Sequence, residues 1–337
     1  MSLVVLDADV LGRRRTGDET YVRNLLRELA VLAPAAGVRL AAVTRRPDLV
    51  PEGVEAVELA ARSQELRMAW SLPRTLRQLG AELCHTQYAL PLRAPCPSVV
   101  TVHDLSFERR HDLMGRKDRF VFRRVVPRAV RGAERVLTVS ERTKRDLVEL
   151  YEVPPERVVV TPNGVDPAFA PGPGPHDYVL AVGAIQRRKD QLAALRAAAE
   201  VGLPLVVAGP EKDTAVAAEL RQGGARLEGY VDTERLAELY RGAACLVQAS
   251  RYEGFGLPVL EAMASGTPVV AVREPALEEV AGDAAVFVDG AKLADGIRTA
   301  LADRDRLAAA GLERARAFSW RATAEKTLAV YREILGS

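Results

Sequence analysis

The sequence of 337 residues is short of cysteine, of long apolar runs and of net charge. Its three cysteines, Cys84, Cys96 and Cys245, are an odd number, widely separated, with no CxxC pair and no histidine at ligand spacing, which argues against a disulfide scaffold and against a zinc site. No uninterrupted apolar stretch approaches the roughly 18 residues needed to cross a bilayer. The first residues, Met1-Ser2-Leu3-Val4-Val5-Leu6-Asp7, lack a basic flank and a cleavage site, so they read as a strand and not as a leader. A cytoplasmic protein, or one peripheral to the inner face of a membrane, is the expectation. Lysine and arginine number 47 against 45 acidic residues, a net charge of +2, and nucleic-acid binders usually carry a strong basic excess. Also missing are the GxGxxG of dinucleotide folds, the Lys-Ser or Lys-Thr that completes a P-loop, and any tandem repeat.

With 48% hydrophobic and 27% charged residues, the composition is that of a folded globular protein. The length suits two domains of roughly 150 residues. Strand-length apolar runs alternate with helix-length amphipathic segments, the pattern of parallel sheets covered by crossover helices. Strands are expected near Leu3–Leu6, Arg39–Val43, Leu83–His85, Ser98–Val102, Arg135–Val139 and Val158–Thr161. The stretch DPAFAPGPGPHD, Asp166 to Asp177, holds four prolines and two glycines and suits neither periodic structure, so it reads as a linker. A second set of strands follows near Tyr178–Val182, Pro204–Ala208, Ala244–Ala249, Pro268–Val272 and Ala284–Val288. The expected division is therefore 1–165, a linker at 166–177, and 178–318. A last helix, 319–337, carries apolar spacing at Trp320, Ala324, Leu328 and Tyr331 and is expected to pack away from its sequence neighbours.

The most informative segment is Ser250 to Pro268, SRYEGFGLPVLEAMASGTP, which lies between two apolar strands. Gly254 and Gly256 permit a tight loop with exposed N–H groups, and Pro258 suits the start of a helix, so the loop runs into a helix N-terminus that attracts anions. Glu253 and Glu261 are carboxylates able to accept hydrogen bonds from hydroxyls, Glu261 about one turn into the helix. A second signal is Val182 to Asp190, VGAIQRRKD, where a strand ends in Gly183 and three consecutive cations follow. Adjacent cations repel unless they share an anion, which arginine holds by bidentate contact and lysine as a point charge. A third is Val99 to Leu105, VVTVHDL, which sets His103 and Asp104 at the carboxyl end of an apolar strand, the edge where open parallel sheets bind ligands.

Taken together these segments resemble the family 4 retaining glycosyltransferases, in which two glutamates eight positions apart bracket a Gly-Phe-Gly-Leu-Pro run. The resemblance extends through ERVLTVSERTKRDLVELYEVPPERVVVTPNGVD, LEGYVDTERLAELYRGA and the terminal FSW helix, nearly the whole chain. It implies an α/β GT-B fold of two Rossmann-like, doubly wound parallel-sheet domains facing each other across a cleft, with the terminal helix crossing back to the first domain. It implies that Glu253 and the backbone around Gly254, Phe255, Gly256 and Leu257 hold the donor sugar beside Ser250, and that Glu261 binds the ribose. Arg188 and Lys189 inherit contact with the diphosphate next to Gly183. His103 touches the sugar or its phosphate, Gly17 of the early loop Gly12–Tyr21 faces the diphosphate, and Asp104 and Tyr88 fall on the acceptor side. His103, Glu253, Lys189 and Arg188 are the catalytic candidates. Many members carry an arginine directly after the strand-ending glycine; this chain has Ala184, which shifts weight to Arg188 or Arg187. The implied reaction is metal-independent hexosyl transfer to a saccharide, lipid-linked or small-molecule hydroxyl, without cofactor. GDP-mannose is the favoured donor from the HDLSFERRHDLM region, with UDP-glucose next.

Other readings stay open. Asp7-Ala8-Asp9 is a DxD triplet of the kind that holds a metal on the diphosphate in the other large glycosyltransferase fold, but at the end of the first strand it reads as a strand terminator. Arg109 to Arg135 carries ten basic and three acidic residues among Phe120, Val121, Phe122, Val125 and Val126. It suits either a surface docking on anionic lipid or a solvated helix in a chain where 41 of 47 basic residues are arginine. Its aromatics are not interleaved as a base-stacking platform, against nucleic acid as partner. A nucleotide-sugar epimerase and a non-catalytic nucleotide-sugar binder are the alternatives on the same architecture. The oligomeric state is not legible.

Overall fold

The computed structural model describes residues 1–13, 16–59, 63–109 and 116–336. They form two compact units: Met1–Gly164 joined by Trp320–Ser337, and Val165–Ser319. Each is built on one all-parallel sheet.

In the first unit the strands are β1 (Ser2–Asp7), β2 (Val38–Thr44), β3 (Glu55–Glu58), β4 (Leu83–Gln87), β5 (Ser98–Val102), β6 (Arg135–Thr138) and β7 (Val158–Val160). They lie in the order β3-β2-β1-β4-β5-β6-β7. In the second they are β8 (Val179–Val182), β9 (Leu205–Ala208), β10 (Arg226–Gly229), β11 (Cys245–Gln248), β12 (Val269–Val272) and β13 (Val286–Val288), ordered β10-β9-β8-β11-β12-β13. Helices cover both faces, so the central strands are apolar without alternation, as in LVVL of β1 and LVVA of β9, all buried.

Each order reverses once, between β1 and β4 and between β8 and β11. Neighbouring connections leave in opposite directions there, and a crevice opens beyond the carboxyl ends of the strands. Gly183 follows β8 and Ser250 lies just beyond β11. Close approach of backbones narrows this spot: a Cβ on Gly209, after β9, would stand 2.2 Å from the Gly183 carbonyl oxygen, and Gly209 has φ +148°.

Two strands, β3 and β10, fall where the sequence pattern shows none. Both are sheet edges, four residues long with two charged residues each (EAVE and RLEG). An edge strand with charged side chains is protected against pairing with other chains, and for that reason carries no apolar run to detect. The proline-rich stretch 166–177 contains neither helix nor strand. It nevertheless packs on the second unit, where the Phe169 ring meets Tyr240 at 5.7 Å and Gly172 and Gly174 lie against Arg241.

The terminal helix Trp320–Leu335 buries Trp320, Ala324, Leu328 and Tyr331 in the first unit, against the helix Thr16–Leu32. A polar pin accompanies these apolar contacts. The buried His85 ring lies 2.5 Å by Nδ1 from the Tyr331 hydroxyl and 2.7 Å by Nε2 from the Thr101 hydroxyl. Burial, with His103 nearby, holds the imidazole neutral by pushing it down to about 3. A neutral imidazole donates through one nitrogen and accepts through the other, so both hydroxyls are needed. Tyr331→Phe strands a buried ring nitrogen and is expected to lower unfolding free energy by about 1–3 kcal/mol. Urea unfolding measures this, and an unchanged midpoint would show the bond to be idle.

Candidate active site

At the switch point of the second sheet two loops are stitched together. The turn after β8 contains Arg187–Lys189 as a single 3-10 turn, and the backbone N–H of Arg251 donates to the Arg188 carbonyl at 3.0 Å. Arg251 also reaches Asp190 Oδ2 through Nε and Nη2 at 3.0 and 2.9 Å. This brings Arg188 and Lys189 onto Glu253. Lys189 Nζ lies 2.5 Å from Glu253 Oε1, and Arg188 Nη1 is 2.8 Å from the Tyr252 carbonyl and 3.5 Å from Glu253 Oε2. Gln248, the last residue of β11, donates to Glu253 Oε1 at 2.6 Å and to the Ser250 hydroxyl at 2.9 Å.

Glu253 is 6% exposed. Burial alone would raise its carboxyl, yet Lys189 and Arg188 outweigh it and hold the group down at about 2. The site thus keeps an anion and two cations charged out of water, an arrangement that is costly without a partner for each charge.

The loop continues into the helix Leu257–Ala264, with Gly256 as N-cap at φ +109°. Leu257 is the first helical residue and Pro258 the second, one position later than the sequence suggests. A Cβ on Gly256 would come 2.7 Å from the Leu277 Cδ2 methyl, which would have to shift, and the left-handed backbone conformation itself favours glycine there. The Phe255 side chain is buried against Phe318, ring centroids 5.8 Å apart, which leaves the backbone of Gly254–Leu257 as the part of the loop able to meet a ligand. Arg187, paired with Asp213 at 3.6 Å, is 74% exposed and stands apart from Glu253, whereas Arg188 is only 17% exposed.

Glu261, five residues into the helix, is 8% exposed and accepts from the Tyr240 hydroxyl at 2.8 Å. Burial, only partly offset by that bond, lifts its carboxyl to about 7. Two glutamates of one motif therefore hold opposite poise: Glu253 permanently ionised, Glu261 able to take up a proton near neutrality. Sequence reasoning did not single out Gln248 or Tyr240. The one available signal was polarity, an amide ending an otherwise apolar strand and a tyrosine on the buried face of the helix Thr233–Gly242.

In the first unit, His103 follows β5 and is 9% exposed. Its ring packs edge-on to Tyr21 (4.7 Å) and tilted to Tyr88 (5.6 Å), with Nε2 3.3 Å from Gln87 Oε1. Burial lowers its pKa, against the raising influence of Asp18 and Asp104. Tyr88 takes φ +58°, and its hydroxyl accepts from the Asp104 N–H at 3.2 Å. Asp104 Oδ1 accepts from the Ser106 N–H and hydroxyl at 3.0 and 2.9 Å, so that oxygen serves the following helical turn Ser106–Arg109. Gly17 sits in the first turn of Thr16–Leu32, where a Cβ would meet nothing within 4 Å. Arg14 and Arg15 of the early loop and residues 110–115 of the basic segment lie outside the described residues.

Asp7 and Asp9 do more than end a strand. Asp9 accepts from Arg13, Arg45 and Arg67, and Arg67 also lies 3.1 Å from Asp7. Among the described residues, no group of three or more His, Cys, Asp or Glu side chains could hold a metal ion.

Two doubly wound sheets, with a cation–carboxylate cluster and a glycine-capped helix at the switch point of the second, define a nucleotide-sugar enzyme of the GT-B fold. The comparisons with known proteins agree. Residues 15–169 match the model of Glycosyltransferase Family 4 and residues 169–318 that of Glycosyl transferases group 1. The O-antigen chain mannosyltransferase B of Escherichia coli is 30% identical over 87% of this chain and 83% of its own length. Among solved structures, the sucrose-phosphate synthase of Thermosynechococcus elongatus superposes with a TM-score of 0.81 at 21% identity over the whole of both chains. Anabaena HepE, solved in complex with UDP-glucose, does so with a TM-score of 0.77 at 16% identity over 99% of each. The chain belongs to glycosyltransferase family 4. It is a retaining glycosyltransferase that transfers a sugar from a nucleotide-sugar donor.

Glu261 gives a test of the site's electrostatics. Its folded value of about 7 lies above that of an unfolded glutamate, so the stability it contributes is present at low pH and is lost as pH rises through about 7. The melting temperature of Glu261→Gln should therefore gain on that of the parent between about pH 5 and about pH 8. A difference independent of pH would contradict this environment.

Proposed function

We propose that the chain moves a hexose from a nucleoside-diphosphate donor to a hydroxyl acceptor without a bound metal, with mannose from GDP-mannose as first choice and a UDP-glucose-type donor as the alternative. The observation that carries this reading is the buried contact of Lys189 and Arg188 with Glu253. Each half suits one end of the donor: the cations suit the diphosphate oxygens on which negative charge grows as the sugar departs, and the carboxylate suits the sugar hydroxyls. The N–H groups of the Gly256-capped helix add fixed positive potential. Glu261 accepts from the ribose diol, and His103 contacts the sugar or its phosphate. The configuration at the anomeric carbon is retained by attack from the face the diphosphate leaves, the departing phosphate taking the acceptor's proton; no side chain serves as covalent nucleophile. The name of the Escherichia coli relative favours mannose, and the ligand of the Anabaena structure favours UDP-glucose.

Glu253→Ala and Lys189→Ala are each expected to lower transfer by about a hundredfold or more, the scale seen when one preorganised charge-stabilising group is lost. Near-normal rates in either variant would remove that residue from the mechanism. The donor follows from thermal stabilisation by a panel of nucleotide sugars, since a ligand of the folded state raises the melting temperature. Product release with and without acceptors separates a transferase from an epimerase and from a non-catalytic binder.

No described helix is long and apolar enough to cross a membrane. A second proposal concerns the helix Arg116–Gly132, in a cytoplasmic protein resting on the inner face of the membrane. Part of its surrounding charge is spent: Arg109 pairs with Asp146 and Glu149, Arg123 with Glu108, and Arg135 with Glu333. The helix still exposes Phe120 (59%) and Val121 (43%) beside Arg124, whose guanidinium lies 4.4 Å above the Phe120 ring, and exposes Arg128 and Arg131 further along. Apolar side chains ringed by arginine suit an anionic lipid surface. The protein should sediment with phosphatidylglycerol vesicles, less so in high salt and less so as Phe120→Ser. Equal sedimentation with phosphatidylcholine, or none with either, would refute lipid docking.

A further inference from the structure

One side chain decides which oxygen of Glu261 is left to meet a ligand. Tyr240, on the helix Thr233–Gly242, is fully buried, and its hydroxyl donates to Glu261 Oε2 at 2.8 Å. Two further contacts hold the tyrosine in place. The Phe169 ring, on the proline-rich stretch packed against this unit, stands edge-on to it at 5.7 Å. The Thr267 hydroxyl, beyond the helix Leu257–Ala264, donates to the Tyr240 carbonyl at 2.7 Å. Glu261 Oε1, by contrast, receives no hydrogen bond among the described residues and is not sealed from solvent.

The last torsion of a glutamate is soft and two-fold, so an unheld carboxylate presents either oxygen over a wide range of angles. A donor fixed on one oxygen sets the plane of the group and leaves the other aimed in a single direction. A ligand that meets it then bears less of the cost of ordering the side chain. Tyr240 stays a donor, because burial, with the Glu261 carboxylate beside it, pushes its phenol well above the ordinary range. The bond also works on Glu261 itself. Burial lifts that carboxyl to about 7, the tyrosine hydroxyl opposes the lift, and Asp166, the other charged group acting on it, adds to it. Without the hydroxyl the carboxyl would hold its proton to higher pH and accept more weakly. The ring alone would satisfy the contact with Phe169; what the hydroxyl adds is the hold on Glu261.

We propose that Tyr240 is a positioning residue for the donor: it holds Glu261 by one oxygen so that Oε1 receives the ribose hydroxyls, and thereby sets a preference for ribonucleotides over deoxyribonucleotides. This rests on the reading of Glu261 as the acceptor from the ribose diol.

Calorimetric titration with ADP, GDP, UDP and their 2′,3′-dideoxy counterparts tests it. In the parent, the tightest of the three should lose about tenfold or more in affinity with its ribose hydroxyls, and Glu261→Ala should abolish that difference. Tyr240→Phe should shrink the difference about fivefold or more and leave the dideoxy ligand unaffected. It should also raise donor KM with kcat nearly unchanged, the pattern of a binding interaction common to ground and transition states. The ribose preference should grow as pH rises through about 7, where Glu261 gains its charge, and in Tyr240→Phe that growth should move to higher pH. Phe169→Leu, which loosens the ring and keeps its hydroxyl, should act in the same direction, so that misfolding of one variant leaves the other. No ribose preference in the parent, or one that survives Glu261→Ala, removes the ribose reading and the proposal with it, as does binding by none of the three diphosphates. A preference that needs Glu261 but ignores both Tyr240→Phe and Phe169→Leu, or variants that weaken ribose and dideoxy ligands alike, overturns the positioning role alone.

Discussion

A carboxylate kept ionised out of water is the constraint from which the second unit's site follows. Glu253 is buried, and burial by itself would neutralise it. It stays charged because Lys189 and Arg188 arrive from a loop more than sixty residues away in sequence. That meeting depends on the strand order: β8 and β11 are neighbours, so the turn after one and the loop after the other share an edge. Gln248 and the backbone link from Arg251 to Arg188 fix the geometry further. The charges are thus held in place before any ligand arrives, and little reorganisation is left for the moment of reaction.

How much of this could be read from the chain depends on how local each piece is. The Ser250–Pro268 run was legible because glycine, proline and both glutamates lie within one strand–loop–helix passage, whose backbone demands are themselves local. The central strands were legible because strands buried on both faces are uninterrupted apolar runs. β3 and β10 were not, since charged side chains on these two short edge strands break the apolar run, whereas the other edges, β7 and β13, read VVV and VFV and were legible. Gln248 and Tyr240 were invisible for another reason. Their importance lies in whom they touch: Tyr240 meets Glu261 across 21 residues and a change of element, and Gln248 meets Glu253 across five, where the loop turns back on the strand end.

The Asp7-Ala8-Asp9 triplet shows the same limit more sharply. Its position argued rightly for a place at the end of β1 but gave no hint of three arginines drawn from loops spread over more than fifty residues. A carboxylate pair can bind a metal or organise cations, and which of these it does depends on the charge that tertiary structure brings to it. Here Asp9 accepts from three guanidinium groups, those of Arg13, Arg45 and Arg67.

Both units therefore meet the cost of a buried acid with cations brought from other loops. In the second, Lys189 and Arg188 surround Glu253, which is 6% exposed. In the first, Arg13, Arg45 and Arg67 surround Asp9. Glu253 Oε1 takes Lys189 and Gln248 at 2.5 and 2.6 Å, and Oε2 has Arg188 at 3.5 Å. Asp9 takes three guanidinium groups on Oδ2 and one of them again on Oδ1. Counting the partners of each buried oxygen, more than counting acids, tells how each carboxylate is held.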